Sequence, residues 1–248
     1  MSARRYRELV VKKKTLLTPN MIRIILGGDD LHDFPEGQES AYVKLVFAAN
    51  KGATKPTTRS YTIRAFDKET LTLTLDFVAH GDNGPASAWA LGVSEGECIA
   101  IDGPGPTKLV DTSADWFFLA GDMTALPAIS VNLEKLPQDA KGYVVLEVLS
   151  DADKQDLIVP KNMNVHWLIN PSPDQPNTLL PDAVKALPWL EGEPNVWVAS
   201  EFDSMRRLRT YFKKERGVGR GQVYASSYWK MGETDEGNKA AKKRDVEA

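Results

Sequence analysis

The 248-residue chain has one cysteine, Cys98, and three histidines, His32, His80 and His166. A single thiol excludes an intramolecular disulfide, a cysteine-rich zinc site and an iron–sulfur cluster, because each needs several thiolates in one place. The three imidazoles are scattered without ligand-type spacing, so no metal site is expected from them. No stretch approaches the ~20 consecutive apolar residues that cross a bilayer. The opening MSARRYRELVVKKKTLL carries basic groups but no continuous apolar segment ahead of a small-residue cleavage site. No membrane partner is expected, and the cytoplasm is the expected compartment. An excess of one charge is also missing. Thirty-one Lys and Arg face 34 Asp and Glu, a formal net charge of −3, which advertises no basic face for nucleic acid. Any redox chemistry must therefore come from a bound organic cofactor.

What is present falls into two halves with different rhythms. Residues 6–17, 21–26, 41–47, 59–65, 71–78 and 97–101 are short β-rich runs. LTLTLDF (71–77) alternates strictly, as a strand with one buried face does. Turn signals such as Thr18-Pro19-Asn20 and Pro35-Glu36-Gly37 separate the runs. The expectation is a six-stranded antiparallel β-barrel interrupted by one helix over 85–91. After Gly103-Pro104-Gly105-Pro106, strands predicted over 115–121, 143–150, 165–170, 195–200 and 222–229 alternate with helices predicted over 125–136, 177–187 and 202–214. Such alternation implies crossover connections and an open parallel α/β sheet. The expected domains are 1–106, the barrel, and 107–248, a nucleotide-binding-like α/β domain ending in a charged helix over 232–248. A flavin along the barrel and a nucleotide donor at the carboxyl ends of parallel strands would suit this design.

Two segments carry chemistry. In Thr58-Arg59-Ser60-Tyr61-Thr62-Ile63, alternation places Arg59 and Tyr61 on one strand face, about 6–7 Å apart. A dinucleotide on that face would meet a guanidinium at its phosphates and a phenol at its rings. Thr62 offers a hydroxyl or backbone N–H nearby. An exposed Arg and a half-buried Tyr on an ordinary strand is the competing account. The second segment, His80-Gly81-Asp82-Asn83-Gly84-Pro85-Ala86-Ser87-Ala88-Trp89, follows a strand and opens a helix. Free N–H groups at a helix start favour anions; Gly84 permits close approach, Pro85 suits the first turn and Ser87 adds a donor. A capped helix without ligand is the alternative, disfavoured by the proximity of the first segment.

Together with Asp102-Gly103-Pro104, Leu119-Ala120-Gly121-Asp122-Met123-Thr124-Ala125-Leu126-Pro127-Ala128 and Tyr228-Trp229-Lys230-Met231-Gly232, these motifs resemble the siderophore-interacting protein family of flavoproteins, within the ferredoxin–NADP reductase superfamily. The resemblance covers nearly the whole chain. It implies FAD, with Arg59 at the phosphates, Tyr61 on the flavin and Ser60 and Thr62 at its polar edge. His80, Ala86, Ser87 and Trp89 would hold the phosphate and adenosine portions. Gly121, Asp122, Thr124, Ala125 and Glu201 would face a nicotinamide donor. The superfamily's Gly-rich donor loop is reduced here to Gly-Asp-Met-Thr-Ala, which leaves NADH and NADPH both open.

Asp151 and Asp153 read either as acids near a donor ribose, favouring NADH, or as solvated loop acids. Arg206, Arg207 and Arg209 read as a phosphate attractor or a solvated helix face. Guided partly by the family's basic pocket, Lys44, Lys55 and Lys230 are expected to attract an anionic chelate. Trp229 either covers the flavin or packs in the core. Lys239, Lys242, Lys243 and Arg244 either assist the pocket or solubilise the tail. The resulting expectation is a monomeric, FAD-dependent ferric-siderophore reductase releasing Fe(II), with NADH, NADPH or a reduced ferredoxin as donor and no protein catalytic residue or metal ligand. A general NAD(P)H–flavin or ferredoxin-type reductase and a non-enzymatic siderophore-binding flavoprotein are the rival readings.

Overall fold

The computed structural model describes residues 6–48, 56–79 and 84–247. The chain divides into two compact units, Met1–Lys108 and Leu109–Ala248.

In the first unit, β1 (Arg7–Thr18), β2 (Met21–Gly27), β3 (Tyr42–Phe47), β4 (Thr57–Asp67), β5 (Thr72–Val78) and β6 (Cys98–Asp102) close into an antiparallel barrel ordered β1-β2-β5-β4-β3-β6. Closure comes from β1 pairing with β6 (Leu9 opposite Ile99), which leaves no open edge. Alternation builds the interior. Leu73, Leu75 and Phe77 of β5 are fully buried with Ile24, Leu26, Val43, Leu45 and Ile63. Asp76 points to the other side of β5, where Arg23, its cross-strand neighbour on β2, grips both carboxylate oxygens at 2.7 and 2.8 Å. α1 (Pro85–Gly92) lies against the barrel through Ala90 and Trp89. The Lys14 ammonium donates to the Leu91 and Val93 carbonyls at the helix's C-terminal end, 2.7 and 3.1 Å away. After β6 the chain turns through Gly103 at φ 133° and doubles back against β3, with Gly105 N–H donating to the Tyr42 carbonyl at 2.8 Å.

The second unit is a five-stranded parallel sheet: β7 (Trp116–Asp122), β8 (Lys141–Val148), β9 (Asn162–Ile169), β10 (Pro194–Glu201) and β11 (Val223–Trp229), ordered β11-β10-β7-β8-β9. The chain builds outward from β7 in one direction, then returns to build β10 and β11 on its other side. The order therefore reverses between β7 and β10, where ligands of such sheets collect. β7 and β10 are buried along their whole length, as central strands covered on both faces must be. One face packs Trp116, Phe118, Val145, Val196 and Val198 against α3 (Leu179–Ala186) and α4 (Phe202–Thr210). α2 (Leu126–Lys135) packs against β7, its Ile129 reaching Gly121. The helix predicted over 202–214 ends earlier as an α-helix. From Tyr211 to Glu215 the chain widens into a π turn, closed by Arg216 N–H to the Tyr211 carbonyl at 2.9 Å. α5 (Asp235–Glu247) crosses back over β11.

Candidate functional site

In the barrel, β4 places Arg59, Tyr61 and Ile63 on one face, with Ile63 in the core and Arg59 and Tyr61 half-buried beyond it. Tyr61 is not a lone ring. Its centroid lies 4.2 Å from that of Phe77, with the planes 30° apart. Phe77 in turn meets Trp89 of α1 at 5.5 Å, and Trp89 meets Phe47 at the end of β3 at 6.3 Å. Tyr61, Phe77, Trp89 and Phe47 thus form a continuous aromatic chain from β4 to α1. Phe47 and Phe77 escaped the sequence reading. They sit at ordinary alternating positions, and only the barrel's closure shows which aromatics become neighbours. The β4 backbone also holds its own arginine, as Arg59 Nη1 donates to the Thr58 carbonyl at 2.9 Å. Ser60 is exposed on the opposite face and Thr62 is half-buried.

Gly84 precedes α1 in extended geometry, and no side chain caps the helix start. Ala86 is buried and Ser87 is 1% exposed. Pro85 has no N–H, so Ala86 and Ser87 supply the first amides of the helix. The donor set fits a dinucleotide: a guanidinium, a helix start without a side-chain cap, and aromatic rings between them. His80 and Lys55 lie outside the described residues. Lys44 is half-buried on β3, paired in register with Ser60 of β4 and Asp102 of β6.

In the second unit, the sequence-selected Gly121, Asp122, Thr124, Ala125 and Glu201 gather where the strand order reverses. Gly121 has a packing reason. A Cβ there would sit 2.6 Å from the Ala199 carbonyl oxygen and 2.7 Å from the Ala125 Cβ. Asp122 is buried and accepts bonds on both oxygens. Oδ1 takes the Thr124 N–H at 2.9 Å and the Thr124 hydroxyl; Oδ2 takes the Glu201 N–H and the Trp229 indole N–H, each at 2.8 Å. Burial pushes this carboxyl above its ordinary range, against the pull of those donors. Glu201 caps α4 by accepting the Asp203 and Ser204 amides at 2.6 and 3.2 Å, while its other oxygen takes the Met231 N–H at 3.2 Å. Glu147, beside Asp122 in the β7–β8 register, completes an acidic group that the sequence reading missed. Burial raises Glu147, an Asn170 amide bond at 2.8 Å opposes the rise, and the charges of Asp122 and Glu201 add to it. Among the described residues no such group is placed to hold a metal ion.

The other candidate side chains have these surroundings. Trp229 is tied to Asp122. Asp153 is fully buried and accepts the Ser150 hydroxyl at 2.7 Å, while Asp151 is exposed and pairs with Lys154. Arg206 and Arg207 are exposed, as a solvated helix face would be, and Arg209 is half-buried; Arg206 and Arg209 both grip Asp245 of α5, at 2.9 and 2.5 Å. Lys242 turns inward to the Ser226 hydroxyl and the Ser227 carbonyl. Lys239 pairs with Asp235. The Lys230 ammonium stands 4.8 Å from the Phe202 ring centre, a cation–π contact.

Residues 114–232 match the model of the siderophore-interacting protein family, and residues 10–55 and 48–108 match that of the siderophore-interacting FAD-binding domain. The chain belongs to the siderophore-interacting protein family. Within the reach of this family, the chain is 35% identical over 243 residues to ferric vibriobactin reductase ViuB of Vibrio cholerae, covering 90% of this chain and 89% of that one. The crystal structure of the siderophore-interacting protein SipS from Aeromonas hydrophila superposes with a TM-score of 0.87 at 32% identity, covering 99% of both chains. Ferredoxin–NADP+ reductase from Plasmodium falciparum covers 90% of this chain and 96% of its own, with a TM-score of 0.62 at 12% identity. That likeness shows a shared fold alone.

Proposed function

We propose that this chain is an FAD-dependent reductase of ferric siderophores or related ferric chelates, working as a monomer and releasing iron as Fe(II) in the cytoplasm. NADH, NADPH or a reduced ferredoxin supplies the electrons. Residues 1–106 serve as the flavin domain and residues 107–248 as the donor domain. The observation that carries this reading is the barrel cradle, in which Arg59 and the Phe77-backed Tyr61 share one strand face inside a segment matched by the siderophore-interacting FAD-binding domain. A relative named as a ferric vibriobactin reductase, similar over 90% of this chain, supports a reductase over a passive carrier.

FAD, when bound, would supply the redox chemistry that joins a two-electron donor to one-electron reduction of iron. The chain's residues bind and orient. Arg59 donates to phosphate oxygens in a planar fork. Tyr61, held by Phe77, would flank the flavin ring; the side chains of Ser60 and Thr62 leave from the other strand face, so their backbone groups would meet its polar edge. Gly84, Ala86 and Ser87 would present the helix start to phosphate, and Trp89 and His80, the latter from the sequence resemblance alone, would help to hold the phosphate and adenosine portions. Gly121, Asp122, Thr124, Ala125 and Glu201 face the donor, and Asp122 keeps that loop, β10 and Trp229 in one arrangement. Lys44, Lys55 and Lys230 attract the negatively charged chelate. Ferrous iron carries less charge than ferric iron, so hard oxygen ligands hold it less firmly and reduction frees it. No protein acid or base is assigned.

The test is anaerobic. Purified protein is mixed in turn with NADH, NADPH and reduced ferredoxin, and its yellow absorbance is followed. Ferric siderophore is then added with a chromogenic chelator specific for Fe(II). The expected result is bleaching by at least one donor, then return of the colour with formation of the ferrous complex. A colourless protein, or a bleached flavin that ferric siderophore does not reoxidise, would refute the proposal.

A further inference from the structure

α4 starts where β10 ends and runs back antiparallel to the strands, and α5 does the same after β11. Their last turns therefore come down beside the entry to β11, at the amino edge of the sheet. There Arg209, Lys213, Val218, Arg220 and Asp245 line an open groove of ≈ 500 Å³. The edge carrying Asp122, Glu201 and Trp229 is the opposite, carboxyl one. Nothing in the proposed reduction uses this groove.

Its charge is unbalanced. Three of the five lining residues are cations and one is a carboxylate. That carboxylate, Asp245, is already answered twice, by Arg206 at 2.9 Å and Arg209 at 2.5 Å. Arg209 uses Nη1 and Nη2 in its grip on Asp245, and a guanidinium has five N–H donors, so donors remain. Lys213 and Arg220 have no hydrogen-bond or ion-pair partner among the described residues. Lys213 is half-buried, and burial together with the charges of Arg209 and Arg220 lowers its ammonium below the usual lysine range. Lys213 and Arg220 converge beside Arg209 with no acid of their own, an unfavourable arrangement that an anion would relieve. The Arg220 guanidinium fork, the Lys213 ammonium and the remaining Arg209 N–H groups suit the several oxygens of a phosphate group.

We propose that Arg209, Lys213 and Arg220 form a binding site for the phosphate group of a small ligand. Pyrophosphate serves as the soluble probe, and vesicles of phosphatidylcholine with phosphatidylglycerol test a lipid headgroup as the source. Calorimetric titration of the flavin-loaded protein is compared with K213Q, R220Q and the neighbouring exposed K214Q, at constant ionic strength. One saturable site is expected in at least one arm, weakened about ten- to hundredfold by K213Q and by R220Q and unchanged by K214Q. Arg220 is exposed, so its variant leaves folding intact and keeps the test open if K213Q misfolds. A lysine-acylating reagent should label Lys213 preferentially, and the bound probe should protect it. Flavin content and ferric-chelate reduction should be the same in wild type and R220Q. Absence of binding in both arms, equal weakening by K214Q, or no protection of Lys213 would overturn the site.

Discussion

Arg59 and Tyr61 stand side by side because strand side chains alternate, and Tyr61 is fixed because Phe77 lies 4.2 Å beneath it. A charge-assisted bond from arginine to phosphate is worth about 1.5–3 kcal/mol. Arg59→Ala should therefore weaken FAD binding about ten- to hundredfold, read as flavin lost on dialysis and as the dissociation constant on reloading. Tyr61→Phe, which keeps the ring and its stack, should retain flavin far better than Tyr61→Ala. Glu147 makes a different prediction. Burial raises its folded pKa above the unfolded value of about 4.3. The folded state then holds the extra proton, so the stability associated with this group is present below the unfolded value and is lost as pH rises through the raised folded one. Glu147→Gln removes that loss while keeping an oxygen for Asn170. The thermal midpoint should rise at neutral pH, and the gain should vanish near about pH 4.

Between elements, contact distances decide what is tolerated. Gly121 lets β7 approach β10 and α2 so closely that a Cβ would lie 2.6 Å from a backbone oxygen. Backbone cannot yield as a flexible side chain can. Gly121→Ala should cost at least the 1–3 kcal/mol typical of overpacking, about the upper end, measured by denaturant unfolding. Helix α5 is held in a different way. Its inward face is mostly polar: Asn238 accepts the Ser227 hydroxyl at 2.7 Å, Lys242 donates to β11, and Asp245 is clamped by Arg206 and Arg209, with Ala241 the buried apolar contact. Arg209 holds the Asp245 carboxyl below its ordinary range. Its contribution is thus present above the unfolded value of about 3.9 and is lost as pH falls through the lowered folded value. Asp245→Asn should speed amide exchange across α5 at neutral pH while the exchange of β7 and β10 stays as slow as in wild type.

At the scale of the molecule, each unit brings its own surface: a closed barrel with an aromatic chain beside Arg59, and a parallel sheet whose order reverses beside Asp122 and Glu201. On the proposed function, a near-neutral chain would attract an anionic chelate through local cations, and such attraction is screened by salt. Lys44→Ala should raise KM for a negatively charged ferric chelate severalfold, with flavin content and kcat little changed. The rise should shrink as ionic strength increases and be absent with an uncharged chelate. Equal kinetics for both chelates would remove Lys44 from the substrate's path.

Alternation in 71–77, turn signals between short runs and the switch to strand–helix alternation were enough to specify barrel and sheet, because these patterns are local consequences of backbone geometry. The Arg-Ser-Tyr-Thr segment was legible for the same reason: two residues apart on a strand means one face. Which aromatics gather around Tyr61, why Gly121 has no side chain, and how Asp122, Glu147 and Glu201 meet were not legible. Phe47, Phe77 and Trp89 come from three separate elements, and the acids from three strands that are neighbours only after crossover connections are made. That Arg206 and Arg209 share a carboxylate was not legible either, because their partner, Asp245, lies 36 residues beyond Arg209. Partners that far apart along the chain leave no periodic trace in it; the packing of one element on another chooses them.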